Sequence, residues 1–176
     1  LSSSPDWAGA LSRARAHSPF LSRALERLPA IEALLEKGRI EDALLAAKAA
    51  GEDIEDTGVA LRRERLALAL ALAVGDLAGG LELDRVMREL STFADRALHA
   101  AIAASIARRV PGAAPDGMIG LALGKHGAGE LNYSSDIDPI LIYDPDTLPR
   151  RERDEPGEAA QRYARETVRL LSETPP

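Results

Sequence analysis

The sequence predicts a predominantly helical α+β protein, and three features of the chain lead to that prediction. Apolar residues recur at helical spacing through about residue 110, with capping signals between the stretches. Two short apolar runs, 118–123 and 140–143, flank a glycine-rich segment and predict two strands. A further amphipathic stretch, 160–171, predicts a final helix. We therefore divide the chain into a helical region, residues 1–112, and a mixed region, residues 113–176.

The first helices are indicated by their capping residues. Serine followed by proline, at 4–5 and again at 18–19, predicts an N-cap with proline in the first helical turn. Gly38 and Gly51 are typical of helix C-termini, and the stretch 40–50 between them predicts another short helix.

Two longer helices follow. Residues 61–74 alternate leucine and alanine, and their alanine content and length favour a helix that is buried on most sides. Apolar residues between 84 and 109 lie on one helical face and predict a long amphipathic helix, or two helices joined near Ser91. The proline-rich and glycine-containing stretch 111–115 then interrupts the pattern, which places the domain boundary there.

Composition limits the possible partners. The chain carries 22 Lys and Arg against 28 Asp and Glu, a net charge of −6, which disfavours a general nucleic-acid-binding surface. The absence of cysteine excludes disulfides and thiolate metal sites. The longest apolar run, 66–74, is far shorter than the roughly 20 residues that a membrane-spanning helix needs. We expect a soluble cytoplasmic protein without nucleic-acid or membrane partners.

An acid pair gives the chain its clearest chemical signal. Asp136 and Asp138 are two residues apart and follow a glycine-rich turn. If Ile137 lies in a strand, both side chains point to the same face with Cα atoms roughly 6.6 Å apart. Mg²⁺ is usually held by one or two carboxylates together with phosphate oxygens and water. The spacing therefore predicts a magnesium site that serves phosphate chemistry.

The residues before the acid pair suit a phosphate group. Gly124 and Gly127 permit close approach of the backbone to a ligand. Lys125 adds a mobile positive charge, and Ser134 and Ser135 add hydroxyl donors. We predict that these residues bind the phosphates of a nucleotide.

The stretch 124–138, GKHGAGELNYSSDID, resembles the signature of the glutamine synthetase adenylyltransferase and adenylyl-removing enzymes. These belong to the polymerase-β-like nucleotidyltransferases, so the resemblance implies that residues 113–176 begin such a domain. The sequence of residues 130–135, ELNYSS, is similar to that of the amino-terminal, adenylyl-removing half of the bifunctional enzyme. By this resemblance, Asp136 and Asp138 hold the metal, while the residues that line the phosphate side are Gly124, Lys125, Ser134 and Ser135.

The resemblance also implies a reaction and its partners. Inorganic phosphate attacks the AMP carried by a tyrosine of adenylylated glutamine synthetase and gives ADP and free tyrosine, with Mg²⁺ as cofactor. Phosphate, ADP or ATP and a PII-type signal protein are the further partners that it suggests. Enzymes of this superfamily use a third carboxylate, but Asp144 lies about 20 Å beyond Asp138 along a strand. We therefore expect the chain to be a fragment that lacks the third acid.

Other interpretations remain open from the sequence. The glycine turn and acids can form a simple hairpin, and His126 is expected to be a surface loop residue without a role. A uridylyltransferase of the nitrogen-signalling type has a similar site. A regulatory scaffold that binds a nucleotide without turnover, or a plain helical interaction module, are the alternatives outside enzymes.

Overall fold

The computed structural model describes residues 4–172 of the 176-residue chain. Helices dominate, and the described part contains one small sheet of two strands, which confirms the predicted α+β class at that level. The start of a nucleotidyltransferase domain stays a prediction. In chain order the elements are α1 Trp7–His17, α2 Pro19–Arg27, α3 Pro29–Glu36, α4 Ile40–Lys48, α5 Thr57–Leu77, α6 Leu83–Arg109, β1 Met118–Leu121, α7 Gly124–Gly127, β2 Ile140–Tyr143 and α8 Pro156–Ser172.

The chain forms two compact units. The first comprises the residues up to 55 together with 59–90, and the second comprises 56–58 together with the residues from 91 onward. Helix α6 contributes its first residues to one unit and its remainder to the other. The packing thus divides the chain within α6, whereas the predicted division at 112/113 follows the change from helical to mixed sequence and stays a prediction.

Capping residues define the first helices of the first unit. Ser18 caps α2, accepting the Leu21 N–H at 3.2 Å, and Pro19 occupies the first turn, as predicted. The prediction of a cap at Ser4 is wrong, since Asp6 caps α1 and its carboxylate accepts the Gly9 N–H at 2.9 Å. A carboxylate also interacts favourably with the positive end of the helix dipole, so Asp6 stabilises this end better than a hydroxyl.

Helix α5 carries much of the apolar core of the first unit. It is a helix, as its alanine content predicts, and it is buried on most sides. Its fully buried residues are Ala67, Leu68, Leu70, Ala71, Leu72 and Val74. Each buried leucine contributes roughly 1.5–3 kcal/mol through removal of apolar surface from water.

Helix α6 runs without interruption through Ser91, so the alternative of two joined helices is wrong. The Ser91 side chain is buried and stays within regular helix. None of the helices within residues 4–172 combines the length and the apolar content that a membrane crossing requires.

The second unit packs a two-stranded antiparallel sheet against helices. Ile119 pairs with Ile142 and Leu121 with Ile140, and β1 is two residues shorter than predicted. Gly120 allows close packing, because a Cβ at this position would lie 2.5 Å from a methyl carbon of Leu98 on α6. The buried core of this unit comprises Leu98, Ile102, Ile106, Met118, Leu148, Ala159, Ala160 and Tyr163.

Candidate functional site

An open cleft of about 500 Å³ lies in the second unit, next to the sheet. Its lining brings together six of the seven residues that the sequence predicts for the site, although they are separated by up to fourteen positions. The lining residues are Leu123, Gly124, Lys125, Ser134, Ser135, Asp136 and Asp138. The predicted residue missing from the lining is Gly127.

One wall of the cleft is formed where the chain leaves β1 and enters α7. The predicted glycine turn is a single helical turn, and Leu123 precedes it in extended conformation. Gly124 adopts a φ of +55°, a left-handed conformation that favours glycine, and apart from the adjacent chain no atom lies within 4 Å of the position that a Cβ would take. The exposed Lys125 follows and brings a positive charge to this wall.

Gly127 has a steric reason to be glycine. A Cβ on Gly127 would lie 2.6 Å from the carbonyl oxygen of Ala122, closer than such atoms approach in proteins. The residue therefore allows α7 to fold back tightly onto the end of β1. Its predicted contact with phosphate stays a prediction, because Gly127 is not one of the residues that line the cleft.

Asn132 organises the turn that brings Ser134 and Ser135 to the cleft. Its side-chain oxygen accepts the Ser134 N–H at 3.1 Å and the Ser135 hydroxyl at 3.0 Å. The Asn132 N–H in turn donates to the Ser135 oxygen at 3.0 Å. Sequence reasoning missed this role, although asparagine two residues before a serine pair is a recognisable signal for such a turn.

The acid pair lies just before β2, in a stretch without regular secondary structure. The prediction that Ile137 lies in a strand is wrong. The reason is that β1 ends at Leu121, paired with Ile140, and the residues before Ile140 have no partner across the sheet. Strand alternation therefore gives no reason for Asp136 and Asp138 to point to the same face. Asp136 and Asp138 are nevertheless both exposed, with half-buried residues on either side, and both line the cleft.

Pro139 is accommodated by the same geometry. It stands immediately before β2 begins at Ile140, so its missing N–H removes no bond from the strand ladder. The position agrees with the rule that proline is tolerated at the start of a strand.

The two carboxylates suit Mg²⁺, since this ion is usually bound by one or two carboxylates and completes its octahedron with substrate oxygens and water. Within residues 4–172, no group of three or more His, Cys, Asp or Glu side chains is arranged to hold a metal ion.

Asp144 has a different task. Its carboxylate accepts the Asp146 N–H at 3.0 Å and the Thr147 hydroxyl at 2.9 Å, which closes the turn after β2. The Asp146 amide, and then the Thr147 hydroxyl, hold the pKa of the Asp144 carboxyl below its usual value. The residue is thus a turn-forming acid, separate from the acids that line the cleft.

His126 differs from its predicted surface position. Its side chain is 1% exposed, and its Nε2 lies 2.9 Å from an Asp95 carboxylate oxygen on α6. No signal near His126 in the sequence could have shown this contact, because the partner lies 31 residues earlier.

Comparisons with known proteins agree with the resemblance of the motif. A family model described as glutamate-ammonia ligase adenylyltransferase matches residues 8–174. A bifunctional glutamine synthetase adenylyltransferase/adenylyl-removing enzyme from Caulobacter vibrioides is 40% identical, across 94% of this chain and 18% of that protein. The enzyme of the same name from Rhizobium meliloti is 39% identical, across 93% of this chain and 19% of that protein.

No solved structure matches the chain. The chain spans about a fifth of the length of the curated relatives it matches. What these relatives do as whole proteins is therefore carried over to this chain only as a proposal.

Proposed function

This chain belongs to the glutamate-ammonia ligase adenylyltransferase family, and from that premise we propose that it carries the catalytic cleft for removal of AMP from glutamine synthetase. The observation that supports the proposal is the gathering of Lys125, two serines and two aspartates around one cleft. The names of the relatives cover both adenylylation and its removal. The sequence of residues 130–135, ELNYSS, resembles the adenylyl-removing half of the bifunctional enzyme and therefore favours the adenylyl-removing reaction.

The proposed reaction is a phosphorolysis. An oxygen of inorganic phosphate forms a bond to the phosphorus of the AMP group, and the bond between that phosphorus and the tyrosine oxygen breaks. The products are ADP and a tyrosine whose oxygen takes up a proton. Because several negatively charged oxygens crowd around one phosphorus, the site needs positive charge and hydrogen-bond donors more than it needs a nucleophilic side chain.

The cleft offers both positive charge and hydrogen-bond donors. Lys125 supplies a mobile positive charge toward the phosphate oxygens. Asn132 holds both serines in the turn, and each hydroxyl donates to an anion when it turns away from the Asn132 side-chain oxygen. Gly124 presents no side chain, so a phosphate can approach the backbone here.

Asp136 and Asp138 are the residues that would hold Mg²⁺ in this proposal. When bound there, the ion would neutralise charge on the transferring phosphoryl group. Because two carboxylates line an open cleft, room remains for the substrate oxygens and water that would complete the coordination of the ion.

The partners follow from the same premise. We propose adenylylated glutamine synthetase as the protein substrate, with phosphate and ADP or ATP as small-molecule partners. Control by a PII-type signal protein and a cytoplasmic location belong to the proposal as well.

Substitution of the acid pair tests the proposal. We expect Asp136→Asn or Asp138→Asn in the full-length gene product to lower kcat for ADP formation from adenylylated glutamine synthetase by at least about a hundredfold. The reaction is followed with labelled phosphate. Asp146→Asn is the control, because this exposed acid lies outside the cleft, and it should stay within about twofold of wild type. Wild-type rates in both acid variants would refute the proposal.

A nucleotide-binding scaffold without turnover is the second candidate. It is favoured by the lack, among residues 4–172, of a third acid near the pair. Calorimetric titration with Mg²⁺ and ADP, followed by the turnover assay, separates the two candidates. Binding without product selects the scaffold.

A uridylyltransferase, the enzymatic alternative, would bind a uracil nucleotide instead of an adenine nucleotide. Membership of the adenylyltransferase family supports adenine. Titration with ATP and UTP analogues in parallel gives the preference directly, and tighter binding of the UTP analogue would favour uridylyl transfer.

A further inference from the structure

We propose that Asp95 and Ser91 of α6 are positioning residues for the cleft. They anchor the two ends of the segment 124–131, whose first residues form the wall that carries Lys125. The expected effect on ligand binding rests on the proposed function. The anchoring itself is a property of the fold and can be tested separately.

The segment 124–131 needs anchors because glycine makes it flexible. Gly124 and Gly129 both have positive φ, at +55° and +73°, and apart from the adjacent chain neither has an atom within 4 Å of a Cβ position. Ordering glycine loses more conformational entropy than ordering any other residue. The segment contains a single four-residue helix, which is far too short to be stable by itself.

His126 is the first anchor point. Its ring is almost completely buried, and Nε2 lies 2.9 Å from the Asp95 carboxylate. Because a carboxylate only accepts, Nε2 carries a hydrogen and donates it. The other ring nitrogen, Nδ1, is buried without a hydrogen-bond partner in the described structure. The bond to Asp95 is therefore the polar contact that fixes the orientation of this ring.

Leu131 is the second anchor point. Its N–H donates to the Ser91 hydroxyl oxygen at 3.2 Å, and both side chains are buried. Ser91 and Asp95 are four residues apart, so they lie on the same face of α6, one helical turn from each other. A single turn of a 27-residue helix thus contacts both ends of the flexible segment.

The consequence concerns Lys125, which directly precedes His126 and lines the cleft. Asp95 and Ser91 do not line the cleft, so they act on a ligand only through the segment that they hold. If Asp95 loses its carboxylate, the buried ring has no polar partner and the α7 wall gains alternative positions. We expect weaker ligand binding with little direct effect on the reacting groups.

Hydrogen exchange tests the anchors without any ligand. In the full-length gene product, Asp95→Ala should speed exchange of the amides of 127–131 by about tenfold, because local opening becomes easier. Asp95→Asn keeps an oxygen that accepts from Nε2 and should restore most of the protection. Asp84→Ala is the matched control, since this exposed aspartate lies in the first turn of the same helix. Unchanged exchange in Asp95→Ala, or an equal increase in Asp84→Ala, would overturn the proposal.

Titration with Mg²⁺ and ADP tests the effect on the cleft. We expect Asp95→Ala to weaken binding by about three- to tenfold, with recovery in Asp95→Asn. In a His126→Leu background, Asp95→Ala should have no further effect, because the two residues act through one contact. If the losses of affinity from Asp95→Ala and His126→Leu add fully, Asp95 does not act through His126. If wild-type protein binds no nucleotide, the proposed function fails, and the exchange experiment still decides whether Asp95 anchors the segment.

Discussion

Substitution of Gly127 by alanine gives a direct test of how the cleft wall is built. Gly127 ends the single turn of α7, and the side of this residue where a Cβ would stand faces the backbone of Ala122, the residue that follows β1. A Cβ at Gly127 would lie 2.6 Å from the Ala122 carbonyl oxygen and 3.2 Å from its carbon. Neither atom belongs to a flexible side chain, so relief requires movement of the backbone.

The expected cost combines two opposite effects. Inserting a methyl group into a closely packed place costs about 1–3 kcal/mol. Alanine returns up to about 1 kcal/mol relative to glycine in a helical position. With the full offset, we expect a net loss of about 0–2 kcal/mol in unfolding free energy, centred on about 1 kcal/mol. For a chain of 176 residues, 1 kcal/mol corresponds to a melting temperature lower by about 2–4 °C.

The displacement should also reach the cleft. Leu123 and Gly124 lie between Ala122 and Gly127 and both line the cleft. If α7 moves away from the end of β1, Lys125 moves with it, and the affinity for Mg²⁺ and ADP should fall by at least about threefold, since misplacement by about 1 Å weakens a positioned contact. Thermal melting and calorimetric titration measure the two effects.

Gly112→Ala is the matched control for this substitution. Gly112 also has a positive φ, +79°, but it lies in the loop between α6 and β1, and no atom stands within 4 Å of its Cβ position. Alanine there costs roughly 1–2 kcal/mol through backbone strain and should leave ligand affinity unchanged. Wild-type melting and affinity in Gly127→Ala would refute the steric reasoning, and equal losses of affinity in both variants would show that global stability is responsible.

Two further predictions concern stability. Tyr163→Phe removes the hydroxyl that donates to the Pro149 carbonyl at 2.7 Å, and urea unfolding should show a loss of about 1 kcal/mol; no loss would contradict a role for this bond. Burial raises the pKa of Glu89, but hydrogen bonds from Lys48 and Arg85 outweigh it and the pKa lies below its ordinary 4.5. The ionised carboxyl therefore stabilises the fold above about pH 4.5, and the stability difference between wild type and Glu89→Gln should shrink as the pH falls below that value, whereas a constant difference would refute the assignment.

The elements that the sequence predicts well are those with a local cause. The cap at Ser18, the buried helix α5 and the strand at 140–143 depend on residues within a few positions of each other. The cleft also has a local origin, because its lining comes from one stretch of sixteen residues, 123–138, which includes six of the seven predicted site residues. The roles of these residues in binding metal and phosphate stay predictions.

The features that sequence reasoning missed depend on contacts between distant residues or on competition between neighbours. Asp6 replaces Ser4 as the cap of α1 because two capping residues stand close together and the charged one is favoured at the helix dipole. Ile137 fails to join a strand because β1 ends too early to provide a partner, and the length of one strand cannot be deduced from the other.

The buried contact of His126 shows most clearly where such prediction stops. A histidine in a glycine-rich stretch is expected to be exposed, since nothing nearby in the sequence can cover or pair with it. The covering residue Asp95 lies 31 positions earlier, and Ser91 lies 40 positions before the amide that it accepts. The same flexibility that lets glycine approach a ligand prevents the segment from fixing its own conformation. A rigid element elsewhere in the chain must then hold the segment 124–131 in place, and α6 is the helix that contacts this segment. Substitutions on that face of α6 should therefore alter ligand binding without touching the ligand.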